Sequence, residues 1–187
     1  MTSSPQPKRR NALQTRAKIL AAAQKTFSEH GYSQASIRDI AAIADVSSPM
    51  LLRYFGSKAG LFEAALIDAI RMEELLQSSK EGFGEQLAKT FLNAEIEITP
   101  PSMIALSTSD PEAREITTRV TEEHIIVPFA KWLGPPDARA RSLEVMLLAT
   151  GFVLYTRRLP ALFAPRGTDK KFAKWFAQSV QAIIDQQ

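Results

Sequence analysis

The chain has no cysteine. That excludes a disulfide framework and any thiolate-ligated metal site. Histidine is nearly as scarce. His30 and His124 are the only two and lie far apart, which argues against a metal centre built on imidazoles. Glycine is sparse, at 8 residues, and the loops that need it are missing. There is no G-x-G-x-x-G and no G-x-S-x-G, and Gly56-Ser57-Lys58 lacks the upstream glycine of a phosphate loop. H-E-x-x-H is absent too. Glu95 and Glu97 are too close in sequence to share a helix face, so they make no catalytic pair. No enzyme, cofactor or metal is expected.

Other absences bound the fold. The N-terminus lacks the apolar core of a secretory signal, so the cytoplasm is the expected compartment. Strand-like alternation never persists beyond a few residues, and all-α is the expected class. The charge-free run Val145 to Thr156 is 12 residues long and flanked by Arg139, Arg141, Arg157 and Arg158. It is too short to span a bilayer. What is present is ordinary for a globular protein: 187 residues, 45% apolar and 23% charged, enough for one or two domains with a sizeable core.

Charge is unevenly placed. Residues 1–60 hold nine Lys/Arg against three acids, a net +6, and residues 61–187 hold 14 basic and 17 acidic residues, a net −3. A basic front and an acidic back suggest that only the front meets a polyanion. Residues 1–11, with two prolines and Lys8, Arg9 and Arg10, read as a disordered basic arm. It can reach DNA or simply solubilise.

The chain is organised around Ser36 to Phe62. Ile37, Ile40, Ala41 and Ala44 follow helical spacing, and Ala44-Asp45-Val46 interrupts it. Ser47 and Ser48 then offer caps for a new helix, and Pro49 suits its first turn. Leu51, Tyr54 and Phe55 are expected on the buried side. Ser48, Pro49, Met50 and Arg53 are expected to face out. That is the plan of a helix-turn-helix, in which the second helix offers side chains to the major groove. A first helix, about Ala12 to His30, precedes it. Its stripe is Leu13, Ala17, Leu20, Ala23 and Phe27, with Gly31 at the C-cap. His30 suits the dipole at that helix end. On the outward face Met50 can pack on a thymine methyl. Ser47 and Ser48 can donate to a base edge or phosphate. Arg53 can fork onto guanine or meet a phosphate, and Arg38 is either a phosphate contact or a solvated charge.

The run DIAAIADVSSPMLLRYFGSKAGLF, preceded by TRAKILAAAQKTFSEHGYSQAS, resembles the DNA-binding end of the tetracycline-repressor-like (TetR) family. The shared signature is IA-x-x-A-x-V-S followed by L-x-x-Y-F-x-S-K-x-x-L-F. The resemblance implies a dimeric, cytoplasmic, DNA-binding transcription regulator, usually a repressor released by a small apolar or amphipathic ligand. It implies backbone contacts for Ser36, for the hydroxyl of Tyr54 and for Lys58, which also starts the fourth helix and so sits at a helix dipole. Leu52 stands where the family usually has an aromatic phosphate contact, and Pro49 where glycine or a small polar residue is commoner. Open alternatives are an activator, a ligand-independent regulator, or a helical adaptor that binds protein.

The remainder reads as six more helices, making about nine in all. The fourth, Ser57 to Ser78, is expected to run unbroken and to transmit a tilt across a boundary near residue 70. That boundary separates a DNA-binding domain (12–70) from a ligand-binding and dimerisation domain (71–187). Then come Glu85 to Ile98, Pro100 to about Thr108, Pro111 to Leu133 with a kink at Pro128, a helix capped by Asp137 and running to Arg158, and, after the separators Pro160 and Pro165-Arg166-Gly167, Asp169 to Asp185. The charge-free run is apolar on all sides and should be buried on all sides, partly by a second subunit. The expected dimer interface is Leu143, Met146, Leu147, Val153 and Leu154 with Phe172, Phe176, Val180 and Ile183. The family also implies an effector pocket, for which Phe91, Glu95, Met103, Ile104, His124, Phe129, Trp132, Phe152 and Tyr155 are candidates, though each also suits a helical core. Expected partners are an operator duplex, a second copy and a small effector, with no membrane.

Overall fold

A computed structural model describes residues 7–163 and 168–186. Among them every regular element is helical: α1 (Pro7–Gln34), α2 (Ile37–Ile43), α3 (Ser48–Phe55), α4 (Lys58–Ala69), α5 (Met72–Leu76), α6 (Phe83–Leu92), α7 (Pro100–Ser107), α8 (Pro111–Thr121), α9 (Val127–Leu133), α10 (Ala138–Arg158) and α11 (Thr168–Ile184). A π turn, Glu122–Ile126, joins α8 to α9, and a 3-10 turn, Pro160–Leu162, follows α10. The expected nine helices become eleven because two of them are interrupted. No helix among the described residues is long and apolar enough to cross a membrane.

The chain forms two compact units. Residues 1–69 with 102–118 make the first, and residues 70–101 with 119–187 the second. The return of 102–118 to the first unit has no counterpart in the expected single cut near residue 70. The core of the first unit is built by α1, α2, α3 and α4. Leu20, Ala23 and Phe27 of α1, Ile40 of α2, Leu51 of α3, and Leu61, Phe62 and Leu66 of α4 are fully buried. Phe27 meets Phe62 edge-on at 5.1 Å, the favoured geometry for paired aromatic quadrupoles. The α1 stripe is shorter than expected, since Leu13 and Ala17 are exposed.

In the second unit Phe83, Leu87, Phe129, Leu133, Val145, Phe152, Phe176, Val180 and Ile184 form one core. Gly84 lets α6 and α11 cross closely: a Cβ there would lie 2.1 Å from the Ala177 carbonyl oxygen. The π turn sits just before Pro128. Proline cannot donate to the helix and crowds the preceding turn, so the widened turn relieves the conflict expected at His124.

Four local expectations are corrected. Residues 7–11 are helical rather than part of a disordered arm, while 1–6 and the side chains of Lys8, Arg9 and Arg10 lie outside the described residues. The fourth helix is not continuous: α4 ends at Ala69, and Arg71 (φ −100, ψ 47) precedes α5. No proline or glycine causes this. The bend turns Met72, Leu75 and Leu76 onto the second unit's core, so packing overrides propensity. α6 ends at Leu92, not Ile98. Asn93 Oδ1 accepts the Glu95 N–H at 3.0 Å, a local turn that competes with the helix. Arg157 donates to the carbonyls of Phe91 and Asn93 at 2.7 and 2.8 Å, which satisfies the helix end. Asp137 makes no side-chain cap; it takes a left-handed conformation (φ 48, ψ 30). Pro165-Arg166-Gly167, read as a helix separator, lies outside the described residues.

Candidate nucleic-acid interface

The reading helix α3 is fixed at both ends by local chemistry. Ser36 starts the bracing helix α2: its Oγ accepts the Asp39 N–H at 3.1 Å and donates to Asp39 Oδ2 at 2.6 Å. The first bond is the N-cap; in the second the aspartate takes the Ser36 hydroxyl and not the backbone N–H that a capping-box glutamate would reach. The turn bends at Asp45, whose φ is 54, a conformation that Asp tolerates better than most residues. Ser47 Oγ then accepts the Met50 N–H at 3.3 Å, and Pro49 occupies the first turn of α3. Behind these caps Ile40 and Leu51 are fully buried and pin the two helices to the core.

The far end of α3 is as closely defined. Gly56 (φ 75) ends it, and Ser57 Oγ accepts the Gly60 N–H at 3.0 Å to open α4. The Arg16 guanidinium of α1 lies 5.6 Å from the centroid of the half-buried Phe55 ring. That cation–π contact ties the end of α3 to the first helix.

The outward set is brought together. Arg38, Ser47, Pro49, Met50 and Arg53 are exposed; Ser36, Ser48 and Lys58 are half-buried. Tyr54 departs from expectation: it is 38% exposed, and its ring lies 6.2 Å from Phe55 rather than in the core. Only Leu51 of its helix is fully buried, because the eight-residue α3 presents a narrow inner face. Ile43 and Leu52 are also exposed beside the helix-turn-helix. Sequence reading gave Ile43 no role, because isoleucine carries no signal of exposure.

Lys58 is not a free charge. Its Nζ donates to the Ser33 carbonyl at 3.4 Å and stands 4.5 Å from the centroid of the Tyr32 ring. Tyr32 in turn donates its hydroxyl to Glu112, and burial, with that bond second, raises its pKa. Tyr32, Ser33 and Glu112 were outside every sequence-based set. Tyr32 carried no signal beyond following a helix exit, and Glu112 is far away in sequence.

The candidates for an effector pocket are divided between the units. Met103 and Ile104 belong to the first and the other seven to the second. Phe152 stacks on Phe176 at 4.1 Å, with Phe91 6.0 Å from Phe176, and Phe129 stacks on Trp132 at 5.4 Å. His124 is half-buried in the π turn, and Glu95 and Tyr155 are exposed. A cleft of about 470 Å³ opens between Lys80, Leu133, Pro135, Pro136, Arg141 and Ile184, and none of the nine candidates lines it.

The expected dimer set also splits. Val153, Phe176 and Val180 are buried within their own unit, so they are corrected to core. They sit on the inner faces of α10 and α11. Leu147 is exposed, while Leu143, Met146, Leu154, Phe172 and Ile183 are half-buried. The charge-free run of α10 is therefore covered on one side only within the chain.

A capped bracing helix, a sharp turn and a short helix with an open outer face define a helix-turn-helix DNA-binding regulator. The matching family models agree. Residues 19–65 match "Bacterial regulatory proteins, tetR family" and residues 81–184 match "Tetracyclin repressor-like, C-terminal domain". The chain belongs to the TetR family of transcription regulators. It is 31% identical, over 156 aligned residues, to the HTH-type transcriptional regulatory protein RaaS of Mycobacterium tuberculosis, covering 76% of this chain and 72% of that one. A TetR-family regulator from Streptomyces coelicolor aligns with 98% of this chain and 100% of its own at 26% identity and a TM-score of 0.54. NalD of Pseudomonas aeruginosa, described as the secondary repressor of the MexAB-OprM multidrug efflux pump, shares the fold. Its TM-score is 0.63 at 19% identity, over 91% of this chain and 97% of its own.

Proposed function

We propose that the chain acts as a dimeric repressor that reads a two-fold symmetric operator and lets go when a small apolar or amphipathic effector binds its second unit. The observation that carries this reading is an uncovered apolar strip. Leu147 and Tyr155 of α10 and Trp175 of α11 are 67, 53 and 48% exposed. Gly151 lies between the first two, and a Cβ there would meet nothing within 4 Å, which leaves room for a partner helix. A second copy of the same strip is the natural cover. Leu143, Met146 and Leu154 stand with it; Phe172 and Ile183 join at its margin.

Each head then presents Met50, Ser48 and Arg53 to base edges, and Ser36, Arg38, Ser47, Tyr54 and Lys58 to phosphates, with Pro49 setting the approach of the helix. Leu52 supplies no hydrogen bond where the family has an aromatic. One short reading helix buries too little DNA for specific affinity, so two heads on a palindrome are required. The repressive sign rests on analogy with NalD and the effector on the family resemblance; the aromatic interior of the second unit suits an apolar effector. Only an effector that prefers the released state shifts the equilibrium.

Footprinting on DNA flanking its own gene tests the reading. Symmetric protection, weakened steeply by salt, is the expected result. Failure to protect any genomic fragment overturns it.

A further inference from the structure

Residues 102–118 are far from α3 in sequence, yet they belong to the same compact unit. Gly31, whose backbone (φ 75, ψ 173) interrupts α1, and the two residues after it meet this segment in turn. At Gly31 (φ 75) a Cβ would lie 3.2 Å from Leu106 Cβ and 3.3 Å from its carbonyl oxygen. Tyr32 donates its hydroxyl to Glu112 Oε2. Ser33 Oγ donates to Asp110 Oδ2 at 3.1 Å. Lys58, the first residue of α4, lies over the Tyr32 ring and against the Ser33 carbonyl. The far side of the bracket is itself fixed, because Asp110 Oδ1 accepts the Ala113 N–H at 3.0 Å as the cap of α8. That N–H is the largest cause holding the Asp110 carboxyl below its ordinary range.

We propose that Glu112 and Asp110 are positioning residues of the DNA-binding head: through Tyr32 and Ser33 they hold the rest on which Lys58 lies, with its ammonium aimed at a phosphate. This rests on the reading of Lys58 as a phosphate contact.

The physical case is one of preorganisation. A lysine side chain carries about 2 kcal/mol of rotamer entropy. A rest that already restricts it leaves less to lose on binding. The Ser33 carbonyl takes one of the three ammonium donors, and with a second turned toward the ring face one remains for a phosphate. The Tyr32 ring cannot drift: it is buried, 6.0 Å from Phe27 and 5.2 Å from Phe62. Its hydroxyl is the one handle by which Glu112 fixes the ring's angle. Charge alone predicts the opposite. Glu112 and Asp110 are anions in a head that binds a polyanion, and neutralising either should tighten binding. The sign of the effect therefore separates the two accounts.

The test measures affinity against salt for the full chain on a duplex that the wild type selects from random DNA. The proteins are wild type, Lys58→Ala, Glu112→Gln, Tyr32→Phe and the double variant Lys58→Ala/Glu112→Gln. Lys58→Ala removes one phosphate contact from each head, so it should weaken binding and lower the salt slope of the dimer by about two. Tyr32→Phe deletes the bond and should weaken binding about fivefold per head, the worth of one ordinary hydrogen bond; Glu112→Gln keeps an acceptor but loses the carboxylate charge that strengthens the bond, so it should weaken binding less; both should lower the slope. Glu112→Gln should add nothing on the Lys58→Ala background. Tyr32→Phe keeps the ring and the aromatic packing, so it decides the matter if Glu112→Gln fails to fold. Tighter or unchanged binding by both single variants, while Lys58→Ala weakens it, overturns the proposal. So does a loss that keeps the full salt slope and adds to that of Lys58→Ala, which marks a purely structural role. No effect of Lys58→Ala on affinity or slope overturns the phosphate reading itself.

Discussion

Replacing Arg141 by Met removes a buried cation whose hydrogen bonds run to backbone carbonyls. The side chain is almost completely buried. Its guanidinium donates to four backbone carbonyls: Ile183 at 2.9 Å, Gly134 at 3.1 Å, Pro136 at 3.0 Å and Ile184 at 2.7 Å. Ile184 closes α11, and Gly134 follows α9. Arg141 therefore gathers two helix ends, where unsatisfied carbonyls and the negative end of the dipole both favour a cation. A net hydrogen bond from a charged donor is worth about 1.5–3 kcal/mol. Four of them would overshoot if summed, because the carbonyls border a cleft and water can reach some of them. Met keeps most of the apolar stem, so the packing loss is small. The expected cost is about 3–5 kcal/mol, as for one broken partner of a buried polar network. Trp132 and Trp175 are the only tryptophans, and both lie in the second unit, so their fluorescence in a urea titration reports on that unit. Arg141→Lys keeps the charge but not the fork, and should fall between Met and wild type. A loss below about 1 kcal/mol in Arg141→Met would refute the staple, since even one orphaned buried carbonyl costs that much.

Three further outcomes are expected. Leu147→Glu places a charge on the uncovered strip and should shift the protein to monomer by analytical ultracentrifugation while leaving helicity intact; an unchanged dimer would remove α10 from the interface. Gly31→Ala forces a side chain into a left-handed φ and against Leu106. It should cost about 1–3 kcal/mol by thermal unfolding, whereas Gly151→Ala in the isolated chain should cost nothing and weaken only the dimer. Ser47→Ala removes the acceptor for the Met50 N–H and should lower stability by about 1 kcal/mol, with DNA affinity falling alongside; full affinity would mean that the cap does not order α3.

The parts legible in the sequence are those where local chemistry decides. Ser47 and Gly31 mark helix ends by the chemistry of caps and left-handed turns. The spacing of Ile40, Ala41 and Leu51 identifies the inner face. Where tertiary packing decides, the sequence misled. Nothing in Ala69-Ile70-Arg71 announces a break, because the gain comes from Met72, Leu75 and Leu76 reaching a core assembled from distant residues. Phe176 and Val180 looked like interface because a helical stripe is apolar whichever surface covers it. Tyr54 looked buried because its partners could not be counted.

The broken α4 also changes which helix can couple the units covalently. A lever needs unbroken backbone hydrogen bonding, and α4 loses that at Ile70. The chain passes between the units twice more, at Pro101 and Ser102 near the start of the short α7 and at Thr118 and Arg119 inside α8, which runs without a break from Pro111 to Thr121. Its first turn carries the Asp110 cap and Glu112, the two groups that hold Tyr32 and Ser33. A displacement of α8 along its axis would therefore move the rest beneath Lys58 directly, without any tilt of α4. Inserting a Gly-Gly pair after Thr118 should then uncouple effector response from DNA release while leaving DNA affinity itself near wild type. The same pair inserted after Ala69, where the helix already ends, should change the response little. The reverse ranking in an effector titration of operator binding would return the lever to α4.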